Sequence, residues 1–232
     1  MKKIIYSLFK IQDKREHLEE FQSGVLYMNT LRVYSSYENV DGEFRGDSYE
    51  GIESHLQPDK ISITIGDFQV DSADIAAPVI VSKNSLLDHH AFCMYSLNSG
   101  DWKEVSENQI SEFEQSLKLD IKNYGLGKYM LIVANVQEFL KRVQTAIKSN
   151  NLQGSLGLVE YFDEKDFHGT FNKERLGFHK RSIFKHQNEY RILINFENGN
   201  LGAEKFNIGN IADISRIIKT EEFNDSLKIK FH

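Results

Sequence analysis

Cysteine and proline are nearly absent from this chain of 232 residues, which has one cysteine, Cys93, and two prolines. A lone cysteine cannot close an internal disulfide, and it fits a reducing, cytoplasmic setting. With so few prolines and no Pro/Gly/Ser-rich linker, no domain boundary is evident, and a single domain over 1–232 is expected. Long apolar runs are also missing. Ile4-Ile5 is far too short for a signal peptide, and no stretch approaches the roughly 18 apolar residues of a membrane helix. No membrane partner is therefore expected. Positive charge is not in excess: the formal charge of −6 argues against bulk phosphate binding but leaves a local basic groove open. There is no P-loop, no G-x-S-x-G and no G-x-G-x-x-G. Gly125-Leu126-Gly127 precedes a strand, where a dinucleotide fingerprint would follow one. No metal-ligand spacing stands out either. His89 and His90 are adjacent, and His179 and His186 are seven apart, so a structural or solvated role is preferred to ligation.

Apolar residues make up 40% of the chain, enough for a real core. Residues 3–9 alternate as an opening strand. Asp13 with Glu16 suggests a capped short helix, Leu18 and Phe21 face inward, and Gly24 ends it. Val25-Leu26-Tyr27-Met28 then starts a second strand. Residues 36–58 are polar, glycine-rich and aperiodic, and a loop that long is usually functional or disordered. Strands are expected at 60–66, 78–82 and 91–97, a helix at 107–122 behind the Ser106/Gln109 capping box, and a buried strand at 128–136. Phe139, Leu140, Val143 and Ile147 line a further helix. Strands are expected at 156–162 and 188–196, and 214–218 and 227–231 would finish a sheet. Hairpin-like strands mixed with a few helices predict an α+β fold with mixed or antiparallel sheets.

The most informative stretch is Phe184-Lys185-His186-Gln187-Asn188-Glu189-Tyr190-Arg191, where polar and ionisable residues run straight into an alternating apolar strand. In an extended segment Tyr190, Ile192 and Ile194 share one face, and Glu189, Arg191 and Leu193 the other. Gln187 would project beside Glu189. A carboxylate and an amide held together at a strand's start suit a site, although a solvated edge strand explains the same spacing. Arg45, in the 41–51 loop, reads equally as part of a solvated turn or as a bidentate donor to a phosphate or carboxylate. Cys93 lies in an apolar run that should raise its pKa, which favours core packing over nucleophilic chemistry. Lys173, Arg175, His179, Lys180, Arg181, Lys185 and His186 form either a local basic approach for nucleic acid or a solvated face.

Two sets of residues carry a resemblance. Ile4 to Lys10, a short helix and Gly24-Val25-Leu26-Tyr27 are similar to the first strand, helix and second strand of the ADP-ribosyltransferase-like superfamily, in particular its bacterial toxin and phage-defence branches. Gln187-Asn188-Glu189 is similar to that superfamily's Q-x-E motif. The chain also resembles a widespread uncharacterised bacterial domain family, through Cys93, Ser96, Lys180, Phe184 and Glu189-Tyr190-Arg191. The transferase resemblance implies NAD as substrate and a macromolecular acceptor, whether RNA, DNA or protein, together with a possible cognate antitoxin. It implies Glu189 as the carboxylate that stabilises oxocarbenium-like charge on the ribose, and Gln187 as the group that positions the acceptor. Ser7, Lys10 or Arg45 would anchor NAD, with Tyr27 or Tyr34 stacking on nicotinamide. Ser7 stands where the superfamily usually places Arg or His, and Tyr34-Ser35-Ser36 is the nearest substitute for its Ser-Thr-Ser strand motif.

Two alternatives remain open at this level. One is a non-catalytic binding or partner protein on the same fold, with Glu189 in an ion pair to Arg191 or Lys185. The other is a metal-dependent nuclease using Glu189 with Asp163 or Asp166, ranked last because arginine replaces the expected lysine and cannot deprotonate.

Overall fold

The computed structural model describes residues 3–36 and 46–229. They build a mixed α+β fold with mainly antiparallel sheets and few helices. The first elements are β1 (Ile5–Gln12), α1 (Arg15–Gln22), β2 (Val25–Thr30) and α2 (Leu31–Ser35). After the break come β3 (Ile52–Leu56), β4 (Ile63–Ile65), β5 (Phe68–Val70), β6 (Val79–Ser82), α3 (Asn84–Leu87), β7 (His90–Asn98) and α4 (Ile110–Ser116). The chain continues through β8 (Tyr129–Val133), α5 (Val136–Ser149), β9 (Gln153–Leu158), β10 (Glu160–Phe162), β11 (Gly169–Thr170) and β12 (His179–Arg181). It ends with β13 (Glu189–Asn195), β14 (Glu204–Asn207), β15 (Ser215–Lys219) and α6 (Phe223–Ser226).

The main sheet has eight strands. Its path runs β14-β2-β7-β1-β8-β15, while β13 pairs β7 along the other side and β9 pairs β13. β1 and β2 share one side of β7: Phe9 pairs Tyr95, and Asn29 pairs Ala91. Between them, Lys10 Nζ donates to the Cys93 carbonyl at 2.8 Å. Strand alternation then sorts the core. Leu8, Phe92, Met94, Leu131, Ile192 and Ile194 pack with Leu18 and Phe21 of α1 and with Phe139, Val143 and Ile147 of α5. The opposite face carries two apolar groups. Phe9, Leu97 and Met130 meet Phe113 and Phe223, while Leu31, Ile52 and Leu193 meet Phe162, Phe171 and Phe178.

Several local expectations are corrected. Asp13 does not cap α1; Lys14 holds the N-cap position, without a side-chain cap bond. The helix expected over 107–122 is a 3-10 turn, then α4, which ends at Ser116. Asn224 clips the backbone there, accepting from Leu119 N–H at 2.7 Å and donating to Leu119 O at 3.0 Å. Asp120 then starts a separate 3-10 turn over Ile121–Leu126. The strand expected at 156–162 divides at Val159, where N–H still bonds Glu189 O; the next amide, Glu160, bonds Phe178 O. Residues 227–229 form no strand and instead follow α6; 230–232 lie outside the described residues. The polar 36–58 stretch is not aperiodic throughout, since it contains β3.

Candidate functional site

Gln187 does not share a strand with Glu189. Ser182–Gln187 is a 3-10 turn, and Asn188 adopts a left-handed conformation (φ 39°, ψ 51°) before β13 begins. The sharp reversal is held by Asn188 itself, whose Nδ2 donates to Ser96 O at 2.6 Å and whose Oδ1 accepts from Asn98 Nδ2 at 3.2 Å. The turn still brings Gln187 and Glu189 together, through a third residue. Lys180 Nζ donates to Gln187 Oε1 at 3.0 Å and to Glu189 Oε2 at 2.7 Å.

β13 is not an edge strand. It lies between β7 and β9, with Glu189 opposite Tyr95 and Arg191 opposite Cys93. Glu189 and Arg191 point to the same face, as the period of two requires, and that face is buried. Arg191 is fully enclosed (0% exposed) and Glu189 nearly so (4%). An isolated charge buried this deeply would cost many kcal/mol, so each needs a partner. Arg191 Nε donates to Glu189 Oε1 at 2.6 Å, and Nη1 and Nη2 grip Glu50 at 2.6 and 2.9 Å. Nη1 also donates to Gly177 O at 2.6 Å. Lys180 Nζ lies 3.6 Å from Glu50 Oε1. Two carboxylates and two cations thus form a closed quartet of zero net charge: Glu50, Glu189, Lys180 and Arg191.

The titration behaviour follows from this geometry. Burial pushes the Glu189 carboxyl upward, but the Arg191 and Lys180 cations outweigh it and hold the group ionised well below the usual carboxylate range. Burial pulls Lys180 and Arg191 down, and Glu189 with Glu50 more than reverses this, so both cations stay charged. The Cys93 thiol lies beside the Glu189 carboxylate. Burial first, then the Glu189 charge, pushes that thiol up to about 12. This is the direction the apolar neighbours of Cys93 predicted. Tyr34 and Tyr161 complete the surroundings. Burial raises both phenols, Cys93 and Glu189 press further on Tyr34, and Glu189 on Tyr161. Tyr161 Oη accepts the Glu189 backbone N–H at 2.9 Å.

A second pair adjoins the quartet. Asp47 is buried and accepts from both the backbone N–H and Nε of Arg181, at 2.9 and 2.8 Å. The Arg181 guanidinium also lies over the Tyr49 ring, 4.7 Å from its centroid. The basic run therefore does not form one cationic face. Lys180 is buried, Arg175 bonds Glu160, and Arg181 is engaged by Asp47 and Glu164, while Lys173 and Lys185 are exposed.

No family pattern, curated protein or solved structure matches this chain. The site is therefore judged on its own geometry. Of the residues singled out from sequence, Glu189, Gln187 and Tyr34 converge. Tyr34 comes from helix α2, so Tyr34-Ser35-Ser36 is no strand motif. Lys10 Nζ donates to the Cys93 carbonyl and lies over the Phe92 ring, 4.4 Å from its centroid. Ser7 is buried two strands from Glu189, its Oγ donating to Val133 O at 2.8 Å. Tyr27 is 52% exposed on β2, opposite Lys205 of β14. Arg45 lies outside the described residues. Two surface recesses, of about 530 and 860 Å³, sit beside Trp102 and beside Tyr6 and Asn135, and Glu189 lines neither. Among the described residues no group of three His, Cys, Asp or Glu side chains is placed to hold a metal ion. None of their helices is long and apolar enough to cross a membrane.

Sequence reasoning missed Glu50 and Asp47 as members of the site. The D-x-x-E spacing at 47–50 was visible, but it read as part of a solvated turn. Nothing local joins it to Lys180-Arg181 or to Glu189-x-Arg191.

Proposed function

We propose that this chain is a binding protein, and that the quartet is the internal clamp that organises it. One observation carries the reading: both oxygens of Glu189 are taken by cations, at 2.6 and 2.7 Å, in a network without net charge. A carboxylate that recognises a ribose hydroxyl needs an accessible oxygen, and Glu189 is almost wholly enclosed. The clamp joins four separate segments: Glu50 before β3, the Gly177 turn, β12 and β13. The scaffold so fixed is free to present its outer surface to a partner.

A second reading has one observation in its favour. Gln187 and Tyr34 gather beside an ionised Glu189, as an ADP-ribosyltransferase-like toxin or phage-defence effector would need. In that reading Glu189 stabilises the oxocarbenium-like charge as the nicotinamide–ribose bond of NAD breaks, and Gln187 positions a nucleic-acid or protein acceptor.

The two readings separate on labelled NAD and cell extract. The binding reading expects neither nicotinamide release nor label transfer, from wild type or from Gln187→Ala. Turnover that vanishes in Gln187→Ala, with the thermal midpoint unchanged, would establish the transferase and sink the clamp as the whole role of the site. Gln187 is half-buried and accepts from Lys180 of the quartet at 3.0 Å, so turnover is compared on variant protein whose circular dichroism shows it folded.

A further inference from the structure

Residues 57–83 leave the small sheet after β3 and return to it as β6, and between them stands the β4–β5 hairpin. Its register pairs Ile63 with Val70, Thr64 with Gln69 and Ile65 with Phe68 around Gly66-Asp67. Directly paired residues share a face, so Ile63, Ile65, Phe68 and Val70 all project to one side. That side is open to solvent: Ile65 and Phe68 are each 68% exposed. The hairpin pairs with no other strand of the described residues. A two-stranded hairpin alone is marginal in water, and an apolar face of this kind is the usual mark of an interaction surface. Both outer edges keep unpaired backbone N–H and C=O groups, a template for a further strand.

The charge around this face selects the occupant. The arm carries four exposed aspartates, Asp59, Asp67, Asp71 and Asp74, against two exposed lysines, Lys60 and Lys83, which stand at its two ends; between them, residues 61–82 contain no lysine, arginine or histidine. Among the described residues none of the four aspartates meets a cation in an ion pair. A second copy of the chain would bring the same acidic arm against itself, and like charges facing each other are costly. Phosphate backbones and anionic membranes are repelled for the same reason.

We infer that the β4–β5 arm is a docking surface for an extended segment of a different protein, in which apolar residues alternate with lysine or arginine. Such a segment adds to an edge of the hairpin by main-chain hydrogen bonds. Its apolar side chains cover Ile65 and Phe68, and its cations meet Asp67, Asp71 and Asp74. This deepens the binding reading and rests on it; failure of that reading appears separately, as Gln187-dependent turnover of NAD.

The test uses the full chain and a fluorescent peptide of alternating valine and lysine, followed by anisotropy. Saturable binding that weakens with salt is expected, and a valine–glutamate peptide should not bind. Ile65→Ser with Phe68→Ser should weaken binding by more than about tenfold, as should Asp67→Asn with Asp71→Asn and Asp74→Asn. These side chains are exposed, so the variants should keep the wild-type thermal midpoint. Hydrogen exchange on the wild-type complex should show new protection over 63–70. Equal binding of the two peptides, no saturable binding, or no loss in either variant would overturn the proposal. So would a wild-type dimer that the Ile65→Ser, Phe68→Ser protein no longer forms, because the occupant would then be a second copy.

Discussion

Arg191 and Glu50 stand 141 positions apart in the chain and meet through two hydrogen bonds, of 2.6 and 2.9 Å, with both side chains fully buried. Their contact ties the segment before β3 to the central strand β13, and Glu189 and Lys180 close the network around it.

Breaking this network from one side leaves an uncompensated buried charge. Arg191→Leu or Glu50→Leu should cost about 3–5 kcal/mol in urea unfolding. The double variant Arg191→Leu, Glu50→Leu should cost less than the two single losses added together, since it buries no orphan charge. Additive losses would show that the two residues do not act as a pair.

Cys93 should be a poor nucleophile. Burial and the Glu189 charge raise its thiol from the ordinary value of 9.0 to about 12. At pH 8 the thiolate population is then lower by on the order of a thousandfold, and labelling by iodoacetamide should slow accordingly relative to the urea-unfolded chain. Comparable rates for the native and unfolded protein would contradict the placement of this thiol.

His179 supplies an acid-sensitive element. It is buried against Phe171, with ring centroids 4.1 Å apart, and burial lowers its pKa below the ordinary 6.5. The sign follows directly. An unfolded histidine binds its proton near pH 6.5, while the folded ring resists it. The stability this contributes is complete above about pH 6.5 and is lost as pH falls toward the folded pKa. The thermal midpoint should therefore drop between about pH 6.5 and 5, and His179→Phe should drop less over the same window. Some slope should persist, because burial also lowers His186. Parallel profiles would remove His179 from the explanation.

Gly24 and Gly66 both have positive φ, at 105° and 61°, yet they should respond differently to alanine. A Cβ on Gly24 would lie 2.2 Å from the Gly209 carbonyl oxygen, whereas one on Gly66 would meet nothing within 4 Å. Gly66→Ala should cost about 1 kcal/mol for its backbone conformation alone, and Gly24→Ala clearly more, because the chain around Gly209 must also shift. Equal losses in thermal unfolding would contradict the close approach.

Local rules read much of the fold correctly. Phe139, Val143 and Ile147 recur at helical spacing and form the buried stripe of α5. Tyr190, Ile192 and Ile194 alternate with Glu189, Arg191 and Leu193, and β13 keeps both faces as that alternation requires. Boundaries failed where distant side chains intervene. Asn224 stops α4 from a position far along the chain, and the left-handed Asn188 separates Gln187 from the strand. The short β14 and α6 offered no period long enough to detect.

By itself, then, the sequence determined the α+β character and the two faces of β13, because each follows from neighbours a few residues apart; it set the direction of the Cys93 thiol's shift, to which the distant Glu189 charge adds. It also placed Glu189 and Arg191 side by side. Only the tertiary structure decided what that pair does. Glu50 and Lys180 arrive from other segments, and charges buried in a medium of low polarity must be matched wherever the chain can supply a partner. That matching enclosed Glu189 and engaged Arg175, Lys180 and Arg181 of the basic run. On the β4–β5 arm, where no such matching occurs among the described residues, an apolar face and its aspartates stay open to solvent.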